Sequence, residues 1–432
     1  MQAKQSKQKR FLSRSLGRWA LSMAAVLGAQ ALGPTAEAED VMSLPLDEAL
    51  RMAVASSPLV RQAEAETQAV KARDVGAALL VPSNPVVGGF LGPRRESNQP
   101  GPVARGTQFG LHAEQQLEIF NQRGTRRAVV RQAVEAARFR QAVARNETRA
   151  RTKAAYVASV LARSQAEAAL KQEELAHQLL AAVKARVEEG AASDIDMRLA
   201  EAELGQVERA RLEAEQSAMM ALTPLRISVG LPPGTEVSLT TDVARPEPRT
   251  EALDQLLTLA RSHRAELSLI ENSQLELDAE LTRLSRETLP NPTVFVDLQR
   301  DLPGQLFMGG GLQMPLPVFR RNQGDKALVR AAKVSLAVER DVTERLIGHE
   351  VERAFRAVGL LRRQLEVIQT SVLPAAQASV DLLREGWRAG KFDFFRVIQA
   401  SREVWVARRT YFETLGELWL AVIELDRALG QV

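Results

Sequence analysis

Two very long stretches almost free of helix breakers constrain this chain more than anything else in it. Asn121 to Glu188 contains only Gly124, and Arg321 to Trp387 only Gly324, Gly348, Gly359, Pro374 and Gly386. As helices at 1.5 Å rise per residue, each reaches roughly 100 Å, far beyond a compact domain. Helices of that length cannot bury their apolar faces alone, so they must pack side by side and against further copies of the chain.

The two stretches occupy equivalent places in an internal repeat, the pattern to be sought before any motif. Leu46-Asp47-Glu48-Ala49-Leu50 opens one half and Leu253-Asp254-Gln255-Leu256-Leu257 the other. Asn84-Pro85 returns as Asn291-Pro292 at the same spacing, Leu117-Glu118-Ile119-Phe120 as Leu316-Pro317-Val318-Phe319, and Gly190 as Gly390. The expected organisation is a first repeat over 39–229, a linker over 230–248 carrying Pro232, Pro233, Gly234, Pro246 and Pro248, and a second repeat over 249–432. Each half reads as a helix, two strands and two long helices. In the last helix, Val397, Ser401, Val404, Arg408, Tyr411, Leu415, Leu418, Val422, Leu425 and Leu429 alternate in steps of four and three. A second stripe, Ile398, Trp405, Phe412 and Trp419, recurs every seventh position, so the helix packs on two sides, as a stave in a wall does.

The strand segments have the other period. Thr107, Phe109, Leu111 and Ala113 alternate with Gln108, Gly110, His112 and Glu114; Val294, Val296 and Leu298 alternate with Phe295, Asp297 and Gln299. Leu306, Met308, Gly310, Leu312 and Met314 alternate with Phe307, Gly309, Gly311 and Gln313, and Val86 to Leu91 is a weaker fourth strand. One apolar and one small or polar face suit a transmembrane barrel with lipid outside and water inside. Gln108, His112, Glu114, Asp297, Gln299 and Gln313 are then the candidates for the lumen. Four strands cannot close a barrel, so several chains must share one. The fold class expected is mainly α with a small β part: long coiled-coil-like hairpins forming an α-barrel, plus four membrane strands per chain.

Charge and composition narrow the function. Lys4, Lys7, Lys9, Arg10, Arg14 and Arg18 precede an apolar stretch, Trp19 to Leu32, and Ala36-Glu37-Ala38 fits a signal-peptidase site, so residues 1–38 are expected to be removed on export. That segment holds six basic residues against Glu37, a surplus of +5 within a chain of net charge +4, which leaves the mature chain at −1. A near-neutral protein offers no electrostatic argument for nucleic acid. With no cysteine, disulfides, thiolate metal sites and cysteine nucleophiles are excluded.

Taken together, Leu46 to Leu50, Ser83-Asn84-Pro85, the run Pro315-Leu316-Pro317-Val318-Phe319-Arg320-Arg321-Asn322-Gln323-Gly324 and Gly390-Lys391-Phe392-Asp393 resemble the outer membrane efflux (TolC-like) family. The second-repeat run is similar to its heavy-metal cation, CzcC-like branch. The resemblance covers essentially the whole mature chain. It implies a homotrimer whose twelve strands form one shared β-barrel over a periplasmic helical tunnel. The implied setting is outer-membrane lipid, a periplasmic adaptor (membrane fusion) protein and an inner-membrane resistance-nodulation-division pump that supplies the energy. The turns Glu188 to Asp196 and Trp387 to Asp393 would form the periplasmic tip, with Gly190, Ser193, Asp194, Asp196, Trp387, Gly390, Lys391 and Asp393 as adaptor contacts. Family members carry inward carboxylates six and nine residues beyond the second glycine; here those pore-facing positions are Arg396 and Gln399, which puts an acidic ring in doubt. Asp194, Asp196 and Asp393 equally suit helix N-caps, and Gly190 and Gly390 helix C-caps.

An enzyme is the rival class. His112, His177, His263 and His349 are dispersed, and His349-Glu350-Val351-Glu352-Arg353 has Arg353 where a zinc protease needs its second histidine. Gly309-Gly310-Gly311 lies in a strand pattern and lacks the lysine and helix start of a phosphate loop. No catalytic residue, cofactor or metal site is therefore expected. The remaining alternative, a soluble periplasmic coiled-coil scaffold or adaptor, would share the helices but not the lipid-facing strands.

Overall fold

The computed structural model describes residues 42–96, 104–247, 249–300 and 305–432; the expected signal segment and Pro248 of the linker lie outside them. The first half runs β1 (Met42–Leu44), α1 (Leu46–Ser56), α2 (Pro58–Ala77), β2 (Val86–Glu96), β3 (Ala104–Gln116), α3 (Gln122–Glu188) and α4 (Asp194–Val229). The second runs β4 (Val237–Leu239), α5 (Leu253–His263), α6 (Ala265–Arg286), β5 (Thr293–Arg300), β6 (Leu306–Gln313), α7 (Gln323–Val367), a π-helical turn (Ile368–Val372), α8 (Leu373–Arg388) and α9 (Phe394–Ala428). The protein is thus mainly helical with a small sheet part. Among the described residues no helix is long and apolar enough to cross a membrane.

The strands make two sheets. β1 and β4 pair in parallel, Met42 opposite Val237 and Leu44 opposite Leu239, which ties the starts of the two halves together. β2, β3, β5 and β6 form one antiparallel sheet in that order, so the two hairpins meet at β3 and β5, with His112 opposite Asp297. β2 and β6 are its open edges.

Both hairpins turn into their long helices through the same device. Asn121 and Asn322 precede α3 and α7 with φ of 60° and 55°, a left-handed backbone that asparagine tolerates better than other side-chain-bearing residues. The next residue closes the turn: Gln122 Oε1 accepts from the Phe120 N–H at 2.9 Å, and Gln323 Oε1 from the Arg321 N–H at 2.6 Å. Gln122 is fully buried and donates onward to Asn291 Oδ1 at 2.7 Å, which links the halves beneath the sheet.

The α3 helix holds 67 residues, and α4 with 36 runs back along its lower part only. Beside α3 lie α2, α1, α6 and α9 along its length. The stretch expected to be one long helix from Arg321 is interrupted: five residues take π-helical geometry just before Pro374. Proline has no N–H and clashes with the preceding turn, and a widened turn absorbs the mismatch without breaking the rod. In α9 the step-four, step-three stripe is buried: Leu415 and Leu418 face α3 and α7, Leu425 and Leu429 face α5 and α7, and Val397 packs with α3, α4 and α8. In the second stripe Ile398 is buried while Trp405, Phe412 and Trp419 are half covered, and Trp419 Nε1 donates to the Ala244 carbonyl of the inter-repeat segment at 2.9 Å.

Tyr156, at the middle of α3, is completely buried. Its hydroxyl donates to the Leu44 carbonyl (2.9 Å) and accepts from the Thr241 N–H (3.1 Å), so one side chain fastens β1 and the segment after β4 to α3. Tyr156→Phe strands both backbone groups, and we expect a loss of about 1–3 kcal/mol. A lower thermal midpoint of the detergent-solubilised protein, with unchanged far-ultraviolet circular dichroism, is the measurement that checks it.

Candidate functional site

Two regions carry the expected site residues: the four-stranded sheet at one end, and the hairpin turns at the other. On the sheet, register places the polar candidates on one face. Gln108, His112 and Glu114 of β3 share it with Asp297 and Gln299 of β5, while Gln313 pairs with Thr293 at the rim. His112 Nδ1 lies 2.7 Å from Asp297 Oδ1 and its Nε2 lies 3.5 Å from Glu114 Oε2, so this histidine bridges two carboxylates.

The same face carries aromatic rings laid on glycines. A Cβ on Gly110 would meet the Phe90 ring at 2.3 Å, and one on Gly311 would meet the Phe295 ring at 2.5 Å. Gly309 lies under Phe307 in the same way, so ring cover accounts for two of the three glycines in the β6 run.

Exposure is inverted relative to a soluble sheet. On β3, Gly110 is buried and His112 and Glu114 are half-buried, whereas Leu111 stands 54% exposed; on β5, Val296 is 53% exposed, and on β6 Met308 is 76% exposed. A sheet folded around a core in water would turn these apolar side chains inward. Here they stand exposed on one face, while His112, Glu114, Asp297 and Gln299 on the other are half-buried.

At the far end the turns are built by matched caps. The Gly190 N–H donates to the Val187 carbonyl and the Ala191 N–H to that of Arg186; the Gly390 N–H donates to the Trp387 carbonyl and the Lys391 N–H to that of Gly386. Both are Schellman ends with glycine at positive φ, 71° and 70°. The following helices are capped in turn. Ser193 Oγ accepts from the Asp196 N–H while the Ser193 N–H donates to Asp196 Oδ2, and the Asp393 carboxylate accepts from the Arg396 N–H at 3.0 Å. Ser193, Asp196 and Asp393 are therefore engaged in caps, whereas Asp194 and Lys391 stand exposed without a capping role.

Arg396 does not reach away from its helix: its guanidinium lies 3.7 Å from Asp393 and 5.8 Å over the Phe392 ring, and Gln399 is exposed. Trp387 is beneath the surface, at 6% exposure, packed on Phe394 at 5.4 Å in a cluster with Val183, Ala200, Val397 and Ile398. Arg186 closes that cluster, with its guanidinium 4.8 Å over the Trp387 ring and Nη1 donating to the Trp387 and Arg388 carbonyls. Sequence spacing finds the glycines and the caps, but nothing in it signals that Arg186 and Trp387 join the two turns.

The histidines divide as well. Glu350, beside His349, is taken up by Arg264 at 3.2 Å and Arg427 at 3.4 Å, an ion-pair network between helices. His177 is different: with Glu173, one turn earlier on α3, and Glu208 of α4, it presents ligand atoms all within 4.8 Å of one another. The pair four apart is visible in the sequence, but the third member is supplied by the hairpin.

Long paired hairpins beneath a sheet with an exposed apolar face are the architecture expected from the sequence. Comparison with known proteins agrees. Residues 49–231 match the sequence model of the outer membrane efflux protein family. The chain is 28% identical over 327 residues to the cobalt-zinc-cadmium resistance protein CzcC of Cupriavidus metallidurans, covering 73% of this chain and 75% of that protein. The fold is that of CusC, whose crystal structures concern transmembrane channel formation (TM-score 0.70, 17% identity, 90% of this chain and 92% of that one). It is also that of the Campylobacter jejuni CmeC outer membrane channel (TM-score 0.68, 16% identity, 89% and 85%). Over residues 49–231 the chain thus resembles the outer membrane efflux protein family, and the relatives it matches are channel proteins and not enzymes.

Arg186→Gln removes the stacked cation and weakens the contact with the two carbonyls. We expect a local loss of about 1–3 kcal/mol, seen as faster backbone hydrogen exchange over Leu383 to Ile398 with little change in the sheet.

Proposed function

We propose that the protein is the outer-membrane duct of a tripartite resistance-nodulation-division efflux system, a passive exit path for heavy-metal cations. In this reading residues 1–38 are a removed signal peptide, and the repeats 39–229 and 249–432, joined by 230–248, are two staves of a homotrimer. The observation that carries it is the inverted sheet. Leu91, Leu111, Val296, Met308 and Leu312 all stand more than half exposed, which is stable only if acyl chains cover them. The open edges β2 and β6 run in opposite directions, so β6 of one copy pairs with β2 of the next and closure removes every free edge.

Gln108, His112, Glu114, Asp297, Gln299 and Gln313 then line the water-filled bore, where mixed carboxylates, amides and an imidazole pass a hydrated cation without holding it. The tip residues Gly190, Ser193, Asp194, Asp196, Gly390, Lys391 and Asp393 meet the periplasmic adaptor, with Trp387 acting from beneath as the anchor of that surface. Arg396 and Gln399 take the positions nearest the pore. The inner-membrane pump supplies the energy. The metal cargo is supported by the likeness to CzcC, a cobalt-zinc-cadmium resistance protein.

The purified protein is expected to need detergent for extraction from outer membranes and to give discrete conductance steps in planar lipid bilayers. A water-soluble monomer giving none would return the chain to the scaffold reading. Cells lacking it should lose tolerance to zinc, cobalt or cadmium before organic compounds; unchanged metal tolerance with lost drug tolerance would reassign the cargo.

The tip assignment has its own test. Gly190 and Gly390 have no atom within 4 Å of an added Cβ, so substitution there acts through the backbone alone. Gly190→Val or Gly390→Val forces a β-branched residue into a left-handed turn, at about 1–2 kcal/mol. Efflux should fall while the amount of inserted trimer does not; unchanged efflux in both variants would remove the turns from adaptor docking.

A further inference from the structure

The metal question returns in the wall of the hairpin, away from the bore residues named above. Glu173 and His177 lie four apart on α3, hence on one helix face, and Glu208 meets them from the antiparallel α4. Their ligand atoms converge within 4.8 Å. One imidazole nitrogen with two carboxylate oxygens suits zinc and its first-row neighbours, which accept mixed nitrogen and oxygen donors; magnesium prefers an octahedron of oxygens.

The surroundings leave this set free to bind. Among the described residues His177 and Glu208 make no side-chain hydrogen bond or ion pair, whereas most neighbouring carboxylates on these helices are paired. None of the three lines the groove between this hairpin and α9, which is formed by Gln172, Glu203, Arg402 and Trp405 among others. Glu173 is the exception, since Arg211 Nε stands 2.8 Å from its Oε2. That ion pair must open for the carboxylate to reach a metal. Arg211 also holds Glu215 one turn further along α4. The guanidinium therefore has a second carboxylate to retire to when a doubly charged ion takes its place.

We propose that Glu173, His177 and Glu208 form a divalent-cation site of the zinc and cobalt class that clamps α3 to α4, roughly 15–20 Å above the tip turn. The site is a resident brace of the wall, distinct from transport through the lumen, and it stands on its donor set whatever cargo the duct carries. A filled site cross-links the hairpin whose end forms the adaptor-facing turn, so metal in the periplasm stiffens the part of the protein that docks.

The test uses the full chain, purified in detergent, stripped with chelator and titrated calorimetrically with zinc chloride. One zinc per chain is expected, with no response to magnesium chloride at the same concentration. Replacing a direct ligand should cost at least the tenfold seen for outer-shell partners, so His177→Ala and Glu208→Gln should each weaken binding by about tenfold or more. Arg211→Gln should tighten it, because the competing cation is gone. Zinc should raise the thermal midpoint of the wild type and not that of His177→Ala, whose circular dichroism without metal should match the wild type. Binding unaffected by His177→Ala, or abolished instead by His112→Asn in the sheet, overturns the proposal, as does an Arg211→Gln variant with weaker affinity.

Discussion

The pairing of β3 with β5 is the contact on which the remaining architecture depends. A lone two-stranded hairpin is at best marginally stable in water, and each half of this chain supplies one such hairpin. Only where Phe109 to Gln116 meets Thr293 to Arg300 does a four-stranded surface appear, with every polar candidate on one side of it. That register follows from the alternation itself: a slip of one residue would set His112 and Asp297 against Val and Leu and turn the whole polar set outward. The junction also fixes how far apart the long helices start, since α3 follows directly from β3 and α7 from β6.

Below the sheet, the same local solutions recur in both halves. Asn121 and Asn322 turn the strands into helices; Gly190 and Gly390 end the descending rods; Gly230 and Gly430 end the ascending ones, with Leu231 and Gln431 completing the same 6→1 bond. Where the halves differ, the difference has a cause. The second descending rod carries Pro374 and answers it with a π-turn, and Pro224 sits inside α4 of the first. The join between halves at the lower end is not repeated at all: Arg186 caps the Trp387 cluster, and the second half has Gly386 at the matching place, under the Phe392 ring. A duplicated framework thus acquires one asymmetric fastening at each end, Gln122 to Asn291 above and Arg186 to Trp387 below.

Much of this was legible because it depends on backbone periodicity and on residues with special φ. Two-residue alternation located β3, β5 and β6, and step-four, step-three spacing identified the buried stripe of α9. The weak reading of β2 has a physical origin, since Gly88, Gly89, Gly92 and Pro93 dilute the pattern and an edge strand tolerates them. The three-residue pair β1 and β4 left no trace, for its stability comes from Tyr156 and not from its own composition. Side chains that act across the hairpins were out of reach for the same reason. Trp387 reads as an exposed turn residue next to Gly390 until α9 and Arg186 close over it, and His177 reads as an isolated histidine until α4 brings Glu208 beside it.

If the chain is the metal-exporting duct proposed above, these placements separate two demands on it. Conduction requires that ligands in the bore be weak, and in the proposed lumen His112 is engaged with Asp297 and Glu114, which leaves its ring nitrogens facing carboxylates and not an open coordination sphere. Retention requires donors without other partners, and among the histidines His177 meets that condition on the hairpin wall. A histidine already held by acids offers a passing ion little; one beside the unpaired Glu208 and a Glu173 held by a single arginine offers it a site. In the proposed reading the same residue type serves transit at one end of the protein and binding near the other, and what distinguishes them is which neighbours the fold has already assigned.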